Sequence, residues 1–130
     1  MVIDTSALAA IAFGEPERQS FIEAIEAADS RQLSTATFVE ASMVIDSRHG
    51  AEGVRVLDLF LSRSGIDLIA VDDEQAREAR RAFSRYGKGR HAAGLNFADC
   101  FAYALAITRG EPLLFKGEDF TKTDVVAALG

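Results

Sequence analysis

Residues 96–109 read NFADCFAYALAITR, and this run reveals the architecture of the chain most directly. Its apolar side chains recur at helical spacing, with Phe97, Phe101 and Leu105 on one line, so it predicts a helix whose apolar stripe lies in the core. The only charged side chain between residues 94 and 108 is Asp99, in the first turn of that helix. An ionised carboxylate among apolar neighbours is costly unless a positive partner compensates it.

Two further apolar stretches share this feature. Residues 1–14 contain Asp4 as their only charged side chain, and residues 33–45 contain only Glu40. Neither stretch has a lysine or arginine, and residues 94–108 have none either. Three solitary acids in three apolar stretches therefore predict a cation that they share.

The composition bounds the class of protein. With 130 residues, 48% of them hydrophobic and 26% charged, the chain suits one globular domain, which we expect to span residues 1–130. A net charge of −6 excludes a general positive field, so any binding of nucleic acid must be local. The single cysteine, Cys100, is typical of a reducing compartment. Since no apolar run approaches the roughly 20 residues of a membrane span and no basic leader is present, we expect a cytoplasmic protein without membrane contact.

Helices and strands alternate along the chain. Helices are predicted over residues 7–13, 16–28, 38–48, 52–64, 73–86 and 96–109, strands over residues 2–3, 33–35, 66–71 and 112–115, and a last strand or edge piece over residues 125–129. The strands are too far apart for hairpins, which implies parallel crossover connections. The predicted fold is therefore α/β, a three-layer sandwich with a central parallel sheet flanked by helices.

Acidic residues follow several of the predicted strands. Asp4 comes directly after the first strand, and Glu118 and Asp119 come just after the strand that ends in LLF. With Thr37 as the N-cap of its helix, Glu40 falls in a first turn, as does Asp99. Because the carboxyl ends of parallel strands lie at one edge of the sheet, we expect these acids to meet there. Carboxylates without histidine or cysteine companions suit Mg²⁺ or Mn²⁺ rather than zinc.

Each acid also has a simpler explanation. A single carboxylate can be a helix cap or a partner of the helix dipole, and Glu118 and Asp119 can belong to an ordinary turn. For the first helix, where Thr5 or Ser6 can be the cap, Ser6 is a better cap than Asp4, which would leave the carboxylate of Asp4 without a structural role. Taken together, the acids favour a site over three unrelated caps.

A basic segment is the second signal in the sequence. We expect the helix over residues 73–86 to bury Ala76, Ala79 and Phe83 and to direct its arginines outward. Six of the fourteen lysine and arginine residues lie between residues 74 and 90, namely Arg77, Arg80, Arg81, Arg85, Lys88 and Arg90. They form either a solvated helix face or a strip that follows the phosphates of a nucleic acid towards the metal site.

Four sequence motifs in order resemble those of PIN-domain ribonucleases, most closely the VapC-type toxins of bacterial toxin–antitoxin pairs. The matching segments are VIDTSAL, TFVEAS, NFADCFAYALA, and LLFKGEDF followed by TDV, and they span nearly the whole chain. The resemblance implies a parallel sheet flanked by helices and an endoribonuclease that depends on Mg²⁺ or Mn²⁺. It also implies RNA as the substrate and a cognate VapB-type antitoxin as a partner, and we expect a homodimer.

The resemblance also assigns roles to residues. It places the acidic positions of the family on Asp4, Glu40, Asp99 and Asp119, and the supporting hydroxyl on Ser6. Asp4 and Asp99 are expected to be the metal ligands. Glu40 would bind through water or orient the nucleophile, and Asp119, or its neighbour Glu118, would hold a second or transient ion. Contacts to RNA phosphates are expected from Lys88, Arg90 and Lys116.

Two alternatives stay open at this point. A receiver or phosphatase-like domain could use Asp4, Asp72 and Lys116 for phosphoryl transfer, although Asp4 lacks the second acid of a phosphatase DxD motif. The other alternative is a non-catalytic RNA-binding or interaction module. Metal binding without RNA cleavage would favour the latter.

Overall fold

The computed structural model describes residues 1–129. Its strands are β1 (Val2–Ile3), β2 (Gln32–Ser34), β3 (Asp67–Ile69) and β4 (Leu113–Leu114), and its helices are α1 (Thr5–Ala12), α2 (Arg18–Ala27), α3 (Thr35–Arg63), α4 (Asp73–Tyr86) and α5 (Phe97–Arg109). A 3₁₀ turn over Asp119–Lys122 follows β4. Among these helices, none is long and apolar enough to cross a membrane.

The sheet is parallel throughout, in the order β3-β2-β1-β4. Alternate residues of its central strands face opposite sides. Val2 and Leu113 belong to the core beneath α4 and α5, whereas Ile3 and Leu114 belong to the core beneath α1, α2 and α3. Two apolar cores on the two faces of one sheet confirm the predicted three-layer α/β sandwich.

The predicted last strand is present only as a short piece. An isolated parallel bridge joins Ala127 to Leu113 at the edge of the sheet. The strand predicted over residues 66–71 is real but shorter, and it lies at the opposite edge, where Leu68 is 48% exposed. The β-branched composition therefore identified the strand but not its position at the edge.

Two predicted N-caps were wrong. Asp4 itself caps α1, which therefore begins at Thr5 rather than at residue 7. Ser34 caps α3, so that Thr37 is buried inside the helix and Glu40 lies in its second turn. The helices predicted over residues 38–48 and 52–64 are confirmed as two segments of α3, because the backbone at Gly50 is not helical (φ 64°, ψ −161°) and the segments meet there at a kink.

The buried faces of α4 and α5 also differ from the prediction. In α4 the buried residues are Gln75, Ala79, Ala82 and Tyr86, while Ala76 and Phe83 are exposed. The helical period was right but the face was rotated, because α4 packs on α5 through small residues. In α5, Leu105 is fully buried, Phe101 is half-buried and Phe97 is 78% exposed, so only part of the predicted stripe lies in the core.

Candidate active site

Asp4 lies where β1 ends and α1 begins. Its backbone N–H donates to the carbonyl oxygen of Leu114 (2.9 Å), which fixes it at the carboxyl end of the sheet. Its Oδ2 accepts two hydrogen bonds from Ser6, one from the backbone N–H (3.0 Å) and one from the hydroxyl (2.7 Å). The side chain is only 4% exposed. The carboxylate therefore has a structural role as a cap, contrary to the expectation that Thr5 or Ser6 would take it, and Ser6 supports it as predicted.

The environment of Asp4 disfavours its negative charge. Burial raises the pKa of this carboxyl from 3.8 to about 6, the two Ser6 hydrogen bonds offset part of the rise, and the charges of Asp99 and Glu40 add to it. Those two acids therefore lie within electrostatic reach of Asp4. The structure brings together the three acids that the sequence left solitary.

Glu40 reaches this edge from the second turn of α3. Its Oε1 accepts a hydrogen bond from the hydroxyl of Thr5, which is buried beside Asp4. Sequence reasoning treated Thr5 only as a possible helix cap. No local signal could have shown the contact, because it joins residues 35 positions apart.

Asp99 occupies the first turn of α5 as predicted, in a capping box with Asn96. Its Oδ2 accepts from the backbone N–H of Asn96 (3.0 Å), and Asn96 accepts from the backbone N–H of Asp99 (2.9 Å). Burial raises the pKa of Asp99, the Asn96 bond lowers it, and the charges of Glu40 and Asp119 raise it further. The capping interpretation of this residue is therefore confirmed, and the cap leaves Asp99 near the other acids, as the site interpretation requires.

The segment after β4 brings the last acids to the same region. Asp119 begins the 3₁₀ turn and Glu118 precedes it, both exposed. Only the charge of Asp119 is among the causes that raise the pKa of Asp99. This electrostatic contact supports Asp119 over Glu118 as the fourth acid of the cluster.

Lys116 adjoins the site through its backbone. Its N–H donates to the Ser6 hydroxyl oxygen (2.9 Å), which in turn donates to Asp4. Its ammonium, however, lies 2.7 Å from Glu15 Oε2 and 3.4 Å from Glu17 Oε1. The hydrogen bond to Glu15 is the main reason that the pKa of Lys116 is raised. The side chain expected at a phosphate is thus engaged by carboxylates in the free protein.

The basic segment lies on α4 and the loop that follows it. Within residues 1–129, Arg81 pairs with Glu78 and Arg85 with Asp124, whereas Arg77, Arg80, Lys88 and Arg90 have no acidic partner. Lys88 and Arg90 are exposed, and the Arg90 guanidinium lies over the ring of Phe83, 5.2 Å from its centroid. The two paired arginines belong to the solvated helix face, and the other four are free to meet phosphates.

The residues at the acid cluster fit a hard divalent cation by their chemistry. They offer carboxylate oxygens, and no lysine or arginine of the described chain is among the causes that shift the pKa of Asp4 or Asp99. His49 and His91 contact the rings of Phe13 and Tyr86 instead. Within residues 1–129, no three aspartate, glutamate, histidine or cysteine side chains lie close enough together to coordinate one ion. The cluster is therefore a set of uncompensated oxygen donors rather than a closed coordination sphere.

An apolar groove of about 600 Å³ lies between α1 and the middle of α3. Its walls include Leu8, Ile11, Phe13, Ile45, Val56 and Phe60. It shares no residue with the acid cluster, so it is a separate feature of the surface.

Comparisons with known proteins agree with this architecture. The family model of the PIN domain matches residues 1–126, so the chain belongs to the PIN-domain family. Ribonuclease VapC30 of Mycobacterium tuberculosis is 54% identical over 125 residues, which cover 96% of this chain and 95% of that protein. Within the PIN-domain family, the chain is therefore similar to the VapC ribonucleases, as the four motifs predicted.

Solved structures share the fold at low sequence identity. The crystal structure of Mycobacterium tuberculosis VapC20, described as a toxin that cleaves the sarcin–ricin loop, matches with a TM-score of 0.78 at 16% identity and covers 96% of this chain and 95% of its own. The structure of VapBC2 from Rickettsia felis, bound to a promoter DNA fragment, matches with a TM-score of 0.76 at 12% identity over 97% of this chain and 94% of its own. These likenesses confirm the fold. They overturn the receiver-like alternative, in agreement with the cap formed by Asp72 on α4 and the pairing of Lys116 with Glu15.

Proposed function

We propose that this chain is an endoribonuclease toxin that hydrolyses RNA phosphodiester bonds with Mg²⁺ or Mn²⁺ bound at the acid cluster. The observation that carries the proposal is Asp4, a buried carboxylate whose pKa is raised to about 6 beside Glu40 and Asp99. Holding like charges together in this way is unfavourable for folding alone and is typical of catalytic sites. The family of the chain and the name of its 54% identical relative support ribonuclease chemistry.

Each side chain of the cluster has a role in this proposal. Asp4 and Asp99 would hold the ion, and Ser6 keeps the Asp4 carboxylate in place. Glu40, held at Oε1 by Thr5, would orient the attacking water with its other oxygen. Asp119 would serve a second or transient ion. A bound divalent cation supplies positive charge that stabilises the phosphate oxygens and lowers the pKa of water.

RNA binding is proposed for the free basic side chains. Lys88 and Arg90 are exposed in the loop after α4 and have no acidic partner within the described residues. Because the whole chain is acidic, this local strip is what would attract the phosphate backbone.

We also propose a cognate antitoxin as the protein partner. The structural neighbour from Rickettsia felis is a VapBC assembly, and the curated relative is a VapC ribonuclease. The groove between α1 and α3 supports the proposal, since an exposed apolar concavity of this size is suited to the apolar side chains of a partner segment.

A homodimer is the remaining part of the proposal. Val39 and Met43 on α3 and Phe97 on α5 are each more than half exposed, and such apolar surface is typical of protein contacts. We expect Phe97→Ser to shift sedimentation equilibrium towards monomer, while Val126→Ser, at another exposed apolar position, leaves it unchanged. A monomeric wild type would contradict the dimer.

The experiment that tests the function is incubation of purified, partner-free protein with total RNA, with and without Mg²⁺ or Mn²⁺. We expect cleavage only with the cation, and its loss in Asp4→Asn. Asp58→Asn, which removes an exposed acid near the end of α3, is the matched control and should cleave normally. Metal binding without cleavage would instead favour the non-catalytic RNA-binding module.

A further inference from the structure

Lys116 joins the acid cluster and the turn between α1 and α2. Two hydrogen bonds lead from its backbone to Asp4, the first from the Lys116 N–H to Ser6 Oγ (2.9 Å) and the second from Ser6 Oγ to Asp4 Oδ2 (2.7 Å). Its side chain leaves this edge and ends between Glu15 and Glu17. The backbone of Lys116 is therefore fixed next to the acid cluster, while Glu15 and Glu17 hold its ammonium outside the cluster.

The two glutamates form a loose acceptor for this ammonium. Glu15 is fixed by its backbone N–H, which donates to the carbonyl oxygen of Ala10 (2.9 Å), and its Oε2 accepts from Lys116 (2.7 Å). Glu17 is the weaker partner, because its buried Oε1 forms an ion pair with the ammonium at the longer distance of 3.4 Å. The three side chains are 33–37% exposed, so water competes with the contact and the ammonium can exchange partners.

Resting on the proposed RNA cleavage, we propose that Glu15 and Glu17 compete with the RNA backbone for Lys116. A carboxylate and a phosphate are interchangeable acceptors for an ammonium, which is a point charge with three rotatable donors. In the free protein the glutamates hold Lys116. When RNA occupies the acid cluster, a phosphate near the Ser6 edge takes their place. Glu15 and Glu17 thereby weaken the binding of any RNA that does not place a phosphate near Ser6.

The test measures binding of a fluorescent single-stranded RNA by anisotropy in EDTA, over a range of NaCl concentrations, so that neither cation nor cleavage contributes. Glu15→Gln with Glu17→Gln should bind about threefold to tenfold more tightly. The log–log salt slope should steepen by up to about 0.7, the value for one phosphate contact with a single strand. The matched control is Glu23→Gln with Glu26→Gln, which removes the same charge from exposed positions of α2 away from Lys116.

Lys116→Met separates the specific effect from general charge. It keeps the backbone bond to Ser6, and it should abolish the gain produced by the Glu15 and Glu17 substitutions while leaving the small effect of the control pair. The inference is overturned if the gain in RNA affinity persists in the Lys116→Met background or equals the gain of the control pair. Either result leaves the proposed function unaffected. Failure of every variant to bind RNA in EDTA also overturns the inference, whereas the proposed function is decided separately by the cleavage assay with Mg²⁺ or Mn²⁺.

Discussion

Asp4 shows how one residue serves both the fold and the site. Its carboxylate caps α1 and is buried next to two other acids, so the folded protein binds its proton more tightly than the unfolded chain. In the metal-free protein, the resulting stabilisation is complete below about pH 4 and is lost as the pH rises through about 6.

The pH dependence of stability therefore tests the environment of Asp4. A rise in pKa from 3.8 to about 6 corresponds to about 3 kcal/mol in the free energy of unfolding, lost between these pH values. Urea unfolding in EDTA should show this decline in the wild type and a smaller one in Asp4→Asn, whose amide has no charge to bury. Parallel curves for the two proteins would show that the Asp4 carboxyl is not destabilised when ionised.

Asp99→Asn tests a proposed ligand with little change in shape. The amide oxygen can still accept from the Asn96 N–H, so α5 should keep its cap and the metal-free fold should be unharmed or slightly more stable. RNA cleavage should fall sharply, by about 100-fold or more, since a ligand charge is lost. The check is the cleavage rate beside a thermal melt. A wild-type rate in the variant would remove Asp99 from the set of ligands.

At the residue scale, the sequence predicted the acids but not their bonds. Asp4, Glu40 and Asp99 stood out because each is alone in an apolar stretch. The bond between Thr5 and Glu40 could not be predicted, because it depends on how α1 and α3 pack. The sequence favoured Ser6 over Asp4 as the cap of α1, whereas in the structure Asp4 is the cap and the Ser6 hydroxyl donates to its carboxylate.

At the scale of elements, the proposed RNA-binding strip lies on α4 and the loop that follows it. Lys88→Gln with Arg90→Gln should weaken binding and flatten the salt dependence by up to about one unit of log–log slope for each lost phosphate contact. Cleavage at saturating RNA should change less, because the proposal gives these residues a role in binding RNA and none in the chemical step. Arg63→Gln with Arg109→Gln removes the same charge elsewhere and is the control. An unchanged slope would indicate that these basic residues form an ordinary solvated surface and do not bind RNA phosphates.

Element boundaries were predictable where a cap and an apolar pattern agreed. The helix ending at Arg109 has Asn96 before it and Gly110, with φ of 63°, after it, and both ends were found. The break predicted near Gly50 is also present, because glycine readily adopts the non-helical backbone that separates the two segments of α3. The buried face of α4 differs from the predicted one because it combines two alanines with the polar Gln75 and with Tyr86, so that apolar spacing marks this face poorly.

At the scale of the whole molecule, two apolar cores hold one parallel sheet, and the acids collect at its carboxyl edge. This arrangement followed from the alternation of strands and helices, since parallel crossovers leave few topologies. The exposure of Phe97 did not follow from it, because helical spacing cannot tell a core stripe from an apolar surface.

The metal response of thermal stability tests the shared cation most directly. A cation that binds only the folded protein, and whose free concentration is about ten times its Kd, adds about 1.4 kcal/mol to the free energy of unfolding. For a domain of this size, this corresponds to a rise in Tm on the order of 3–6 °C. Mg²⁺ or Mn²⁺ should produce this rise in the wild type, NaCl of equal ionic strength should not, and Asp4→Asn should show a smaller one. An equal response to the metal in wild type and Asp4→Asn would contradict a cation shared by the three acids.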